Sequence, residues 1–312
     1  MALVDAHGRR LHKLRIQLTD ACNYRCVYCM PEDMRFQSPQ ALLTPSEIEN
    51  LSLALHAHGV DEIRLTGGEP LIRPEFPDIA ARLAKIPWRG FGLTTNGHYL
   101  SRHLDFLADI GLTSINISLD TLRPDRFAKV TRRGNLALVL DAILAARARN
   151  FTLKINCILF KGVNDDELSD FAQFSAEHGI EVRFLELMKV GPGHWNHAER
   201  FIAAADLIDR LKSEMDLIPL PVPNDATAFV FRTSGGGRLG FIASESQPFC
   251  GACSRLRLTA TGQLRACLFS EAGVDLRGCD PLDLPELLQT LLPMKPTHRL
   301  DHIHQPMNQI GG

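Results

Sequence analysis

Several features are missing from this sequence, and each absence excludes something. No charge of one sign dominates: 34 Lys and Arg stand against 36 Asp and Glu, a net charge of −2. The chain therefore has no global basic field of the kind that non-specific nucleic-acid binding uses, and an anionic ligand would need a local basic pocket. No apolar run approaches the roughly 18 residues of a membrane span, and the opening MALVDAHGRR lacks the apolar core of a signal peptide. These absences predict a cytoplasmic protein that binds neither membrane nor nucleic acid. There is no low-complexity tract and no internal repeat beyond an alternation of strand and helix patterns. With 45% hydrophobic and 22% charged residues among 312, disordered and fibrous classes drop out. The chain can bury a core large enough to fold without a disulfide or metal scaffold.

What is present is that alternation. Short β-branched or apolar runs occur at 14–20 (LRIQLTD), 62–70 (EIRLTGGEP), 91–97 (FGLTTNG), 114–120 (SINISLD), 153–162 (LKINCILFKG) and 181–188 (EVRFLELM). Helical patterns separate them, which is the signature of βαβ units and a parallel sheet. Thr44-Pro45-Ser46-Glu47 has the capping-box spacing with Pro at the first helical position, opening a helix that ends near Gly59. Another helix is predicted from Asn135 to Asn150.

Side chains alternate across a strand, and sorting these strands by face gives two different surfaces. One is polar: Arg15, Gln17, Thr19, Arg64, Thr66, Thr94, Asn96, Asn116, Ser118, Asp120, Lys154 and Asn156. The other is apolar: Leu14, Ile16, Leu18, Ile63, Leu65, Ile115, Ile117, Leu119, Leu153 and Ile155. Parallel strands packed on both faces should be apolar throughout, and a closed eight-stranded barrel would fill its interior with Val, Ile and Leu. The pattern predicts six parallel strands curved into an open barrel, helices outside and a wet, ligand-holding cavity inside. The alternative is a one-sided sheet whose polar face meets solvent.

After residue 192 the pattern changes. GPGHWNHAER leads to a helix near 202–214, a proline-rich IPLPVPNDA, and short strands near 228–232 and 239–243. A hairpin, RLRLTATGQLRACLF, is expected to turn near Gly262. The expected fold is α/β: an incomplete parallel (β/α)6 barrel over residues 1–192, with a C-terminal α+β extension, 193–312, capping the barrel mouth.

Eight cysteines in a reducing compartment read as metal ligands or buried thiols rather than disulfides. Cys22, Cys26 and Cys29 have C-x3-C-x2-C spacing in the loop after the first strand, and Cys250, Cys253 and Cys267 have C-x2-C-x13-C spacing. Cys157 and Cys279 stand apart and read as structural thiols. Three thiolates can hold three irons of a [4Fe-4S] cluster and leave the fourth open to a ligand. At each group the alternative is zinc completed by a borrowed residue, such as His12 at the first or His298, His302 or His304 at the second.

CNYRCVYC, with Tyr28 just before the last cysteine, and the turn Thr66-Gly67-Gly68-Glu69-Pro70 resemble the signature motifs of the radical S-adenosylmethionine (SAM) superfamily. In that turn two glycines permit close backbone approach and a carboxylate suits an ammonium. FCGACSRLRLTATGQLRACLF, the TTNG turn, the SLD strand, the KGVNDDE segment and the closing Gly311-Gly312 resemble one family within it, the GTP 3′,8-cyclases of molybdenum cofactor biosynthesis. The likeness runs from Leu14 to Gly312. It departs at Ser254, where Asn is expected, and at Ala21, where a basic residue is frequent.

That resemblance implies a barrel of the radical SAM type with two [4Fe-4S] clusters, one on each cysteine group, the second binding the guanine base at its open iron. It implies S-adenosyl-L-methionine contacts at Tyr28, Gly68, Ser118 and Met188. It also implies GTP contacts at Arg15, Arg64, Thr94, Lys154, Arg255, Leu256 and Arg257. Cys22, Cys26, Cys29, Arg255 and Arg257 form the implied catalytic set, and the Gly-Gly tail would reach into the cavity. The implied reaction begins with reductive cleavage of SAM to a 5′-deoxyadenosyl radical, which takes the 3′ hydrogen of GTP. Addition of the 3′ carbon to C8, reduction and protonation then give (8S)-3′,8-cyclo-7,8-dihydroguanosine 5′-triphosphate. A reductant protein, a downstream cyclic pyranopterin synthase and a second copy in a homodimer are the implied partners.

Three other readings share some of these features. A radical SAM enzyme that modifies a peptide through an auxiliary cluster should carry more C-terminal cysteines and fewer interior cations. An iron-sulfur electron carrier has no need of the GGEP turn or a ligand-lined barrel, and a zinc module would bind colourless metal.

Overall fold

The computed structural model describes residues 2–194, 197–280 and 282–311. Its strands are β1 (Lys13–Gln17), β2 (Glu62–Thr66), β3 (Gly90–Thr95), β4 (Ser114–Ser118), β5 (Thr152–Ile158), β6 (Glu181–Leu185), β7 (Leu217–Leu220), β8 (Phe229–Thr233), β9 (Arg238–Ile242), β10 (Arg255–Leu258), β11 (Gln263–Arg265) and β12 (Gly273–Asp275). They form one open sheet in the order β12-β11-β10-β1-β2-β3-β4-β5-β6-β9-β8-β7.

β1 to β6 lie side by side and parallel, as the alternation predicts. The extension does more than cap this series. β10 pairs parallel with β1 and β9 pairs parallel with β6, and antiparallel strands follow outside each. The reason is that an open six-stranded sheet leaves two rows of unpaired backbone groups, and the extension's strands satisfy both.

The crossover helices form where local chemistry places them. α1 (Pro45–Ala57) begins with the predicted reciprocal cap: Glu47 N–H donates to Thr44 Oγ1 at 3.2 Å, and Thr44 N–H donates to Glu47 Oε2 at 2.7 Å. Then come α2 (Phe76–Leu83), α3 (Leu104–Asp109), α4 (Pro124–Thr131), α5 (Leu136–Ala148) and α6 (Leu168–His178). Asn135 caps α5 by accepting from Ala137 N–H. The predicted apolar face, from Leu14 to Ile155, is buried with these helices in one continuous core. None of the polar-face residues is exposed; all but Gln17 and Thr19 line cavities on the sheet's other side. That rules out the one-sided sheet with a solvated face. No described helix is long and apolar enough to cross a membrane.

Beyond β6, α7 (His197–Arg200) and α8 (Ala204–Lys212) precede the strands of the extension, and α9 (Leu284–Leu291) and α10 (Met307–Ile310) follow them. Trp195 and Asn196 of the GPGHWNHAER stretch, and Gly312 of the tail, lie outside the described residues. A buried carboxylate docks this region on the barrel. Glu186, 2% exposed, accepts from Ala204 N–H at 2.8 Å, Glu245 N–H at 2.7 Å, Ser246 N–H at 2.9 Å and the Ser246 hydroxyl. Replacing it orphans three backbone donors, each worth about 1–3 kcal/mol when buried without a partner. Glu186→Ala is therefore expected to lower unfolding free energy by about 3 kcal/mol or more, measured as a lower urea midpoint. An unchanged midpoint would show that water replaces the carboxylate there.

Candidate active site

The first cysteine trio is set by a contact between two turns. After β2, Gly67 and Gly68 lie directly on the backbone that leads from β1 to Cys22. A Cβ at Gly68 would sit 2.3 Å from Ala21 O, and one at Gly67 would sit 2.6 Å from Thr19 O. Gly68 N–H donates to Thr19 O at 2.7 Å and Glu69 N–H to Ala21 O at 2.8 Å. The close approach expected of these glycines is thus made to the chain itself. The Glu69 carboxylate likewise turns inward. It is fully buried and accepts from Leu71 N–H, the Thr95 hydroxyl and Asn96 N–H at 3.0, 2.8 and 2.6 Å. Burial pushes it up to about 7. The expectation that this carboxylate meets a ligand ammonium is corrected: its oxygens are occupied in joining β2 to the end of β3.

Cys22, Cys26 and Cys29 line the cavity above these turns. Tyr24 N–H and Asn96 Nδ2 point at Cys22 Sγ, at 3.4 and 3.8 Å. Asn308 N–H donates to Cys29 Sγ. Such N–H donors suit cluster thiolates. Among the described residues, the group of three or more possible ligands whose donor atoms all fall within 4.8 Å of one another is His12, Asp61 and Glu62. Neither cysteine trio is that tight, and no histidine joins one at that spacing. Ligands 2.3 Å from a tetrahedral zinc would be about 3.8 Å apart, so both trios are wider than a zinc cage and suit a larger cluster. His12 is not a fourth ligand to the first trio. It lies at the opposite end of β1, hydrogen-bonded to Asp61 at 2.9 Å and Asp225 at 3.1 Å.

Tyr28 donates its hydroxyl to Asp120 Oδ2 at 2.8 Å, and Ile158 N–H donates to Oδ1 at 2.9 Å. Burial raises the Asp120 carboxyl to about 6. Tyr28, Gly68, Ser118 and Met188, the residues the resemblance assigns to SAM, all line this cavity with the first trio.

The second trio occupies the same cavity. Cys250 and Cys253 flank the turn before β10, and Cys267 follows β11. Lys295, 4% exposed, ties the two together: its ammonium donates to Arg255 O at 2.7 Å, Ala266 O at 2.8 Å and Cys253 Sγ at 3.4 Å. Ser254, at the departure from the family pattern, donates to Asp225 at 2.6 Å, and Lys13 is 2.6 Å from the same carboxylate oxygen.

Below the trios an adjoining cavity is strongly cationic. Lys13, Arg15, Arg64, Lys154, Arg183, Arg238 and Arg255 line it against Glu62, Glu181 and Asp225. Glu181 already pairs with Lys154, Arg183 and Arg238. Arg64 crosses the space left by Gly92 to reach Leu93 O and the Ser114 hydroxyl, at 2.9 and 3.0 Å. Arg15 stands in neither arrangement: among the described residues its side chain has no hydrogen-bond or ion-pair partner. Burial first, then the charges of Arg257, Arg255 and Arg64, drive its guanidinium well below its ordinary range. An unpartnered arginine beside three others is a site for an anion.

The other residues expected to meet GTP are distributed unevenly. Thr94 and Arg257 line the upper cavity, Lys154 and Arg64 the lower, and Arg15 and Arg255 both. Leu256 does not join them; its side chain is fully buried on the apolar face. Arg257 donates to Gly311 O at 2.5 Å, which brings the tail to the cavity as far as the described residues go. Arg183, Lys295, Asp225 and Asn308 went unnoticed in the sequence. Arg183 alone carries a signal, because alternation in EVRFL puts it on the polar face. The scattered positions of the others carry none.

A family model of the Radical SAM superfamily matches residues 16–175, and one for Molybdenum Cofactor Synthesis C matches residues 180–294. The chain belongs to the radical SAM superfamily. Within it, the chain is similar to the GTP 3′,8-cyclase of Synechocystis sp., with 42% identity over 310 residues, 99% of this chain and 95% of that one. The GTP 3′,8-cyclase of Aquifex aeolicus is 40% identical over 88% of this chain and 87% of its own. Molybdenum cofactor biosynthesis protein 1 of Homo sapiens is 42% identical over 88% of this chain, but over 44% of that longer protein. Relatives at this identity and coverage place the chain in the GTP 3′,8-cyclase family. A crystal structure of Streptococcus suis SuiB bound to S-adenosylmethionine shares the fold, with a TM-score of 0.67 and 13% identity over 92% of this chain and 69% of that one. Membership of the superfamily implies a [4Fe-4S] cluster and SAM, and Cys22, Cys26 and Cys29 are the donor set that fits them.

The two trios differ electrostatically. Burial pushes Cys22 and Cys29 up to about 12, helped by the Glu69 charge at Cys22 and by Cys22 at Cys29. Burial also raises Cys253, but Arg255 and Lys295 outweigh it and bring that thiol down to about 6. The thiolate is the reactive form. Iodoacetamide at pH 7 is therefore expected to label metal-free protein at Cys253 first, with Cys22 and Cys29 unlabelled over the same interval. Peptide mass mapping checks this, and equal labelling would show that Arg255 and Lys295 do not set the difference.

Proposed function

We propose that this chain converts GTP to (8S)-3′,8-cyclo-7,8-dihydroguanosine 5′-triphosphate, the first step of molybdenum cofactor biosynthesis, as a radical SAM cyclase. The observation that carries this reading is Arg15, a partly buried guanidinium with no acceptor among the described residues, where cations outnumber carboxylates. A triphosphate supplies the missing acceptors. On this reading Arg15, Arg64, Lys154, Arg255 and Arg257 hold GTP, with Thr94 as a further contact and Leu256 serving as part of the strand. Arg183 belongs with them by position. Tyr28, Gly68, Ser118 and Met188 hold SAM. Cys250, Cys253 and Cys267 would hold a second [4Fe-4S] cluster, which would supply an anchoring point for the guanine base.

Cys22, Cys26 and Cys29 would hold the first cluster, which would supply the electron for reductive cleavage of SAM, and Tyr28, Gly68, Ser118 and Met188 would hold SAM where that radical chemistry could reach the ribose of GTP. The protein's part is orientation and exclusion of water. Fixing the base at one end and the phosphates on the arginines leaves the ribose between, facing the first trio. Arg255 and Arg257 line the cavity that holds the second trio, and one of them protonates the cyclised product. Residues 1–192 act as the barrel and 193–312 as the extension that completes the nucleotide site. The enzyme works in the cytoplasm as a homodimer, takes electrons from a reductant protein and passes its product to a cyclic pyranopterin synthase.

Anaerobic reconstitution with iron and sulfide, followed by reductant, SAM and GTP, is expected to yield 5′-deoxyadenosine and an isomer of GTP by mass spectrometry. Cys22→Ala should abolish both. Arg15→Leu should raise the KM for GTP about tenfold or more, the effect of losing a charge-assisted contact, while slow SAM cleavage without GTP persists. SAM cleavage that leaves GTP unchanged would overturn the substrate.

A further inference from the structure

The segment before the Gly-Gly tail does not trail into solvent; it packs on the loop of the first trio. Met307 N–H donates to Cys29 O at 3.2 Å, and Asn308 N–H donates to Cys29 Sγ. Ile310 is buried with Val190 and Ile303, with Met188 packed against them. Asn308 itself is 1% exposed. Its carbonyl accepts from Gln17 Nε2 at 2.6 Å, and its side-chain Nδ2 donates to Asp20 O at 2.9 Å. The second bond fixes which way the amide faces, because exchanging Oδ1 and Nδ2 would set two acceptors against each other.

What remains is Oδ1. It is buried with no donor within reach among the described residues, and Asn308 lines the same cavity as Cys22, Cys26, Cys29 and Gly68. A buried amide oxygen left without a donor is costly, so the atom points to a ligand that brings one. The phosphates of GTP have only acceptors to offer, and its guanine donors belong at the second trio on the reading above, whereas Asn308 stands beside Cys29. SAM carries an ammonium, ribose hydroxyls and a positive charge, all suited to an amide oxygen.

We propose that Asn308 Oδ1 accepts a hydrogen bond from SAM, so that the segment carrying α10 forms one wall of the SAM site. This rests on the reading of the first trio as the cluster that holds SAM. It makes Asn308 a ligand-contacting residue on a part of the chain distant from the CNYRCVYC motif.

The test compares wild type, Asn308→Ala and Asn308→Asp, each reconstituted with iron and sulfide, by equilibrium dialysis of SAM and separately of GTP, without reductant. Asn308→Asp keeps an acceptor and loses the donor to Asp20. Asn308→Ala is expected to weaken SAM binding about tenfold. Asn308→Asp should stay within about threefold of wild type, with GTP affinity and cluster iron content unchanged in both. SAM affinity within twofold of wild type for Asn308→Ala overturns the proposal. Equal loss in both variants overturns it too, since the side chain would then act only by tying the segment to Asp20. If wild type bound no SAM, the underlying reading would fall and this one with it; normal wild-type binding with an indifferent Asn308→Ala sinks this one alone.

Discussion

The upper half of the cavity depends on one backbone contact, the seating of Gly67 and Gly68 on Thr19 to Ala21. No side chain fits between the two turns, so the loop bearing Cys22 has a single height above the sheet. Glu69 then anchors the pair to the end of the third strand through two donors, Thr95 and Asn96, that reach its buried carboxylate. A motif that reads as a ligand contact is first a structural fastening. Gly67 and Gly68 still line the cavity, and the position of Cys22 follows from this fastening.

The lower half is governed by charge. Arginines and lysines converge there because the pleat of six parallel strands sends every second residue inward, and few carboxylates accompany them. Such a concentration of like charge works against the apo fold and favours an anionic ligand in proportion. Electrostatics also separates the two trios: one sits in low-polarity surroundings beside carboxylates, the other beside Arg255 and Lys295.

Much of this was legible from alternation and spacing alone. The inward residues from Arg15 to Asn156 were sorted correctly because strand period and parallel order leave them one place to go. The capping box of α1 behaved as its four residues dictate. β7 was not seen, since it lies in the proline-rich passage and tolerates Pro219 as an edge strand beside β8. β12 is three residues long, too short to show a period. Glu69 was linked to a ligand on residue type, His12 as an alternative zinc ligand, and Leu256 by resemblance alone. The structure turns Glu69 onto neighbouring backbone and Leu256 onto the apolar face, and sends His12 to the far end of β1. Asn308 was unreadable for a different reason: its partner Asp20 is 288 positions away.

That last separation is one of several. β1 pairs with β10 as well as β2, Gln17 bonds Asn308, and Arg9 reaches the carbonyls of Cys250 and Lys295. Contacts of such long sequence separation form late and slowly, because loop closure precedes any return from them. The first trio therefore gains its final wall only when the far end of the chain has docked. A cluster inserted earlier would be held by three thiolates in an open loop, with no Asn308 amide beside Cys29 and more water around it. A topology that closes the pocket last leaves a period in maturation when the three thiolates and anything they hold are least protected.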